Sequence, residues 1–187
     1  TSPKRGGDAA AGRSRLFHKP RGRYTADRTM FLSPEQLVEQ IHDSPTRIVL
    51  AATGGGSRAI ADLLEVPGGS RTLLEAVVPY SAPAMIAWLG GAPDEFCSVA
   101  TARAMAMVAF HRARQYEEPG AAPAGVACTA SLATDRPKLG PHRVHVALQT
   151  TALTAAWRLQ LQKDRRSRAE EELLAGRLVL NALAEAC

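Results

Sequence analysis

The stretch TRIVLAATGGGSRAIADLLE, residues 46–65, constrains the fold more than any other. An apolar run of strand length meets three consecutive glycines, Gly54 to Gly56, and Ile60, Leu63 and Leu64 then recur at helical spacing. A strand that is apolar on both faces needs helices on both sides of its sheet, so strand, tight turn and helix in succession point to a layered α/β domain.

The rest of the chain continues that grammar. Ser33, Pro34 and Gln36 form a capping box ahead of Leu37, Val38 and Ile41, so the folded domain is expected to begin near residue 31 and run to 187. After the Gly68–Gly69 turn, LLEAVVPY contains a second buried strand, and Ser81 is an N-cap for APAMIAWLG, which Gly90 and Gly91 stop. Ser98 caps the long helix VATARAMAMVAFHRARQ. EEPGAAPA breaks it before a third strand, GVACTA. HRVHVALQT alternates as a strand with TAAWRLQL as its antiparallel neighbour, and a last helix carries Leu173, Leu174, Leu178 and Leu183 at helical spacing. The expected fold is a mostly parallel sheet with an antiparallel addition and helices on both faces.

The net charge of +5 is concentrated at one end. Residues 1–30 hold eight basic groups against Asp8 and Asp27, a surplus of +6, while the remainder is near neutral. This stretch reads as a basic arm or a targeting remnant without the apolar centre of a secretory signal. Arg13, Arg15, Lys19, Arg21 and Arg23 are its candidate phosphate contacts, and the partner implied by high basicity is RNA or another component of a large assembly. A solvated tail without a partner is the plainer alternative.

Cys97, Cys128 and Cys187 form an odd set without CxxC spacing, which argues against a disulfide framework or zinc knuckle. His142 and His145 make an HxxH at the start of a strand, where residues three apart point to opposite faces, so no metal site is expected. No apolar stretch approaches the length of a membrane span, and no cofactor is expected.

The ordered landmarks TGGG, VPGGS, VVPYS, CSVATARAM and CTAS resemble the C-terminal domain of the CinA family, which includes nicotinamide mononucleotide deamidases. The resemblance covers about residues 31–187 and is nearest to the diverged domain that precedes a nucleotidylyltransferase-like domain in plants and algae, on TGGGSRAIADLLEVPGGSRTLLEAVVPYS and SLATDRPKLGPHR. No second domain follows Cys187, consistent with a shortened relative or a fragment. The resemblance implies a homodimer and a serine amidase whose nucleophile lies in E-S-C-T-G-G and whose lysine base lies in Y-S-x-x-x-K. Here LAATGG puts Ala51 at the nucleophile and Leu50 at the glutamate, with Thr53, Gly54 and Gly55 kept. Tyr80 and Ser81 match the second motif, but Met85 stands at the lysine. TASLATDRP keeps Thr129 and loses the glycines of the family's T-G-x-A-G-P-G-G-G loop, leaving Arg136 and Lys138 as charge. Alanine cannot attack an amide and a thioether cannot take the proton.

Thr53 or Ser57 as substitute nucleophiles lack an evident base, so Ser57 is read as a helix cap and Thr53 as a hydroxyl bonding within its own turn. The TGGG turn serves equally a nucleotide phosphate or a sharp bend. Tyr80 is read as a half-buried core aromatic, and Met85, Met105 and Met107 as packing. Thr53, Gly54, Gly55, Ser57, Tyr80, Ser81, Thr129 and Arg136 are thus the residues of a degenerate or nucleotide-binding site. The expected function is non-enzymatic, as a structural or binding component of an organellar RNA-containing assembly, mitochondrial before plastid. The alternative is an amidohydrolase acting on nicotinamide mononucleotide or a related nucleotide, and a nucleotide sensor is a third reading.

Overall fold

The computed structural model describes residues 32–116, 120–136 and 138–187, and the arm with its five candidate phosphate contacts lies outside them. Ser33 accepts the Gln36 backbone N–H and the Gln36 side chain returns to the Ser33 N–H, starting helix α1 (Pro34–Asp43). Strand β1 (Thr46–Thr53) follows, then helix α2 (Arg58–Glu65), a 3-10 turn at Gly69–Arg71, strand β2 (Leu73–Val77) and helix α3 (Ala82–Leu89). Helix α4 (Val99–Tyr116), strands β3 (Ala122–Ser131), β4 (His142–Thr150) and β5 (Thr154–Leu161), and helix α5 (Arg168–Glu185) complete the unit. Ser81 accepts the Ala84 N–H, Ser98 the Thr101 N–H, and left-handed Gly90 ends α3, as the residue types at those positions require.

The sheet runs in the order β2-β1-β3-β4-β5. Strands β2, β1 and β3 are parallel, and β4 and β5 add in antiparallel sense. Because side chains alternate along a strand, the two faces separate by residue parity. Ile48, Leu50, Val126, Cys128, Val144 and Val146 pack with α1, α2 and α5, while Val49, Ala51, Ala127 and Ala147 face the α3 and α4 side. Helix α4 lies against β3 because its buried positions are mostly alanine and because Gly125 leaves room. A Cβ at Gly125 would lie 2.2 Å from both the Ala106 carbonyl oxygen and the Phe110 backbone nitrogen.

Four expectations about elements and packing change in the structure. Strand β2 is half-buried along its length, because it sits at the sheet edge and lacks a neighbour on one side. Strand β3 begins at Ala122, three residues earlier than its apolar run, because Thr46–Ile48 of β1 pair with Ala122–Ala124. On α5 the core face is Ala175, Val179, Leu180 and Leu183, and Leu173 is exposed. Gly176 sets that rotation: a Cβ there would meet Arg58 Cβ at 3.0 Å, so α5 turns its smallest residue to α2. Met85 and Met105 are packing residues, but Met107 points to solvent.

His142 and His145 lie on opposite faces of β4 as expected, and among the described residues no group of three His, Cys, Asp or Glu side chains could hold a metal. All three cysteines are free. No described helix is long and apolar enough to cross a membrane.

Candidate functional site

The C-terminal ends of the parallel strands β1, β2 and β3 meet at a cleft of about 240 Å³, the place where a ligand enters an open α/β sheet. Thr53 and Gly54 come from the end of β1, Tyr80, Ser81 and Met85 from the start of α3, and Thr129 from β3. A second hollow, on the other side of the same turn, shares Thr53, Gly54 and Tyr80 and adds Gly55, Ser57, Arg168 and Glu172. Seven of the eight expected site residues therefore converge. Arg136 does not join them and lies in a separate hollow with Lys138 and His142.

Ala51 and Met85, at the two positions that the resemblance assigns to nucleophile and base, are 0% and 2% exposed. Both belong to one apolar cluster with Ala102 and Met105. The fold brings these two positions together, and what it brings together is hydrocarbon and a thioether. Three of the hydroxyls around the cleft are used internally. Thr53 Oγ1 donates to the Pro79 carbonyl, Thr129 Oγ1 to the Phe96 carbonyl, and Ser81 Oγ caps α3.

The glycine turn is demanded by the chain itself. Gly54 has φ +69°, and a Cβ there would lie 2.0 Å from the Ala130 carbonyl oxygen; Gly56 has φ +89°. Helix α2 is not capped by Ser57, whose backbone is already helical and whose side chain makes no cap bond. Instead Glu172 of α5 supplies the carboxylate: its Oε1 accepts from Ser57 Oγ at 2.8 Å and from the Arg58 N–H at 3.1 Å. An acidic side chain thus occupies the positive end of α2. Arg168 clamps the same turn, donating to the carbonyls of Gly54 and Ala133. Thr53 likewise departs from expectation, since its hydroxyl reaches the segment after β2 and not its own turn.

Tyr80 is 69% exposed and is not a core aromatic; the strand ends before it, and the ring projects at the mouth of both hollows. Cys97, which motif reading passed over, lines the cleft beside Phe96 and Thr129. Its place just before α4 in the CSVATARAM segment was the available signal. Cys128 is the opposite case. Fully buried on the other face of β3, its thiol pKa is pushed up by burial first and by the charge of Glu172 second.

No family model matches the chain, and no curated protein matches it. Solved structures do. The competence/damage inducible protein CihA from Agrobacterium tumefaciens is 23% identical with a TM-score of 0.64, over 84% of this chain and 98% of that one. A competence-damaged protein (CinA) superfamily protein from Escherichia coli is 17% identical with a TM-score of 0.64, covering 83% and 91% of the two chains. A further superfamily protein, from Klebsiella pneumoniae, is 17% identical with a TM-score of 0.65, covering 82% and 97%. Similarity at this level of identity speaks to architecture, and the chain has the fold of the competence-damage CinA superfamily proteins.

Proposed function

We propose that this chain is a catalytically degenerate relative of the nicotinamide mononucleotide deamidases, of the diverged plant and algal kind, serving as a non-enzymatic binding or structural component. The observation that carries the reading is the apolar contact group of Ala51 and Met85, which puts no nucleophile and no proton acceptor at the two positions the amidase chemistry requires. Three commitments of the surrounding hydroxyls, at Thr53, Ser81 and Thr129, support it, because each is held by the fold. The basic arm over residues 1–30 is the element we assign to an organellar, RNA-containing assembly such as a mitochondrial ribosome. Sedimentation of the native protein from its own cells tests this: co-migration with a large particle that shifts on ribonuclease treatment is expected. Migration as a small dimer unchanged by ribonuclease overturns the assembly role.

One observation favours the alternative, hydrolysis of nicotinamide mononucleotide. Cys97 offers a thiol in the cleft, where attack on the amide carbon expels ammonia and water then releases the acid. Against it, no hydrogen bond joins Cys97 to a base among the described residues. Ammonia release that is lost in Cys97→Ala establishes this reading and overturns degeneracy.

A further inference from the structure

Helix α3 has no charged or amide side chain anywhere in its sequence, APAMIAWL. A helix that is apolar all round belongs in an interior. The Met85, Trp88 and Leu89 side of α3 does pack, on α4 and the sheet, but Ala82, Pro83, Ala84, Ile86 and Ala87 are exposed. The apolar surface continues past the helix at both ends. Val78 and Tyr80 precede it, 49% and 69% exposed, and Tyr80, Ala82 and half-exposed Phe96 line the mouth of one cleft, with Ile86 one turn beyond Ala82. After Gly90, Ala92 and Pro93 join Ala100 and Ala104 of α4 in a further hollow of about 480 Å³, which Asp94 and Glu95 also line. A contiguous apolar patch of this kind, rimmed by polar groups, marks an interaction site on a folded domain.

Charge decides what covers it. Between Arg71 and Arg103 the chain has no lysine or arginine, while it has Glu75, Asp94 and Glu95. Glu75 is held in a bidentate pair with Arg112, both bonds at 2.6 Å, but Asp94 and Glu95 are exposed beside the apolar hollow. An RNA backbone or an anionic bilayer needs cations at its contact, and here it meets carboxylates. A second copy docking by the same patch brings the same two acids and no base from that stretch. An apolar segment flanked by lysine or arginine satisfies both features, with its apolar side chains on Ile86 and the hollow and its bases on Asp94 and Glu95.

We propose that the uncharged surface of α3, with the hollow beside it, docks a different protein through an apolar segment bounded by basic residues. The surface lies on residues 78–104, outside the basic arm, and is the same whether or not the chain hydrolyses an amide.

Photo-crosslinking in the protein's own cells tests it, with a benzophenone amino acid at Ile86 of the full chain and, as a control, at Leu173 of α5, which is also exposed. Mass mapping is expected to join the Ile86 probe to one segment of a different protein, apolar and flanked by Lys or Arg, while the Leu173 probe gives no such product. A synthetic peptide of that segment is then expected to bind the purified full chain with a one-site isotherm, weakened about tenfold or more by Ile86→Asp and severalfold by Asp94→Asn with Glu95→Gln. Ile86 and both acids are exposed, so these variants keep the fold, and unchanged melting temperatures check it. Crosslinks to this chain itself, at its arm or on a second copy, to RNA or to lipid overturn the proposal. So do the same product from Leu173, no crosslink at all, or wild-type affinity in Ile86→Asp.

Discussion

Met85→Lys replaces the thioether with the side chain that the resemblance places at this position. Met85 is 2% exposed and packs with Ala51, Ala102 and Met105, so an ammonium at its tip finds no anion within that cluster. The lysine stem fills most of the thioether's volume, so the charge decides the outcome. A buried charge without its partner costs ~3–5 kcal/mol, and because Met85 also borders the cleft the ammonium can reach partway to water, giving an expected loss of about 2–3 kcal/mol. At ~1.4 kcal/mol per pH unit, that loss corresponds to a lysine titrating near about pH 8.5 in the folded state, against ~10.4 unfolded. Below the lower value both states hold the proton and the full penalty is present. Between the two values the unfolded chain binds more protons than the native one, so the variant regains stability as pH rises. Urea denaturation of variant and parent from neutral pH to about pH 10.5 reads this directly. Adding Ala51→Ser puts a hydroxyl in the same cluster, and the double variant is expected to be less destabilised than Met85→Lys alone, by up to ~1.5 kcal/mol. A deficit under ~0.5 kcal/mol, or one that stays constant with pH, refutes the buried apolar contact and with it the main support for degeneracy.

Gly125→Ala forces α4 off β3 through two backbone atoms and is expected to cost ~3 kcal/mol or more, whereas Gly90→Ala has open space and loses only its left-handed preference, ~1–2 kcal/mol; denaturant midpoints of the pair distinguish the two causes. His145 is buried with both ring nitrogens unpartnered, and burial, then Arg143 and Arg158, hold its pKa below the ordinary 6.5. As pH falls below 6.5 the unfolded chain takes up the proton before the native one does, so stability drops, and His145→Leu is expected to lessen that drop in melts at pH 7.5 and 5.5, values on about either side of the ordinary histidine pKa. Iodoacetamide on the native protein, followed by mass mapping, is expected to label exposed Cys187 and cleft-lining Cys97 and to spare Cys128, which is buried and held as the thiol. Labelling of Cys128 at the rate of Cys187 contradicts the packing of β3 against α5.

Much of the architecture was legible because it is written in short-range chemistry. Strand β1, its glycine turn and α2 follow from an apolar run, a need for positive φ and helical periodicity, all within twenty residues. The caps at Ser33, Ser81 and Ser98 are equally local, since the capping oxygen and the amide it accepts are three residues apart. Seven of the eight residues singled out in the sequence line two adjoining hollows because they lie at strand ends and helix starts that the α/β plan places at the C-terminal ends of the parallel strands.

What the sequence by itself determined, then, was the order of elements and the presence of Ala51 and Met85 at the two positions that the resemblance assigns to a serine and a lysine. Tertiary structure decided the rest. The partner of Ser57 is Glu172, 115 positions away in the chain, and the partner of His142 is Glu171, 29 away on another element. Neither pairing leaves a periodic or positional trace, because an electrostatic contact depends on distance in space and on the dielectric around it, which burial creates. The same holds for Tyr80 and Cys97. Whether a ring is covered, or a thiol lines a cleft, is set by which helix packs above it, and that follows from the small residues of α4 meeting β3 at Gly125.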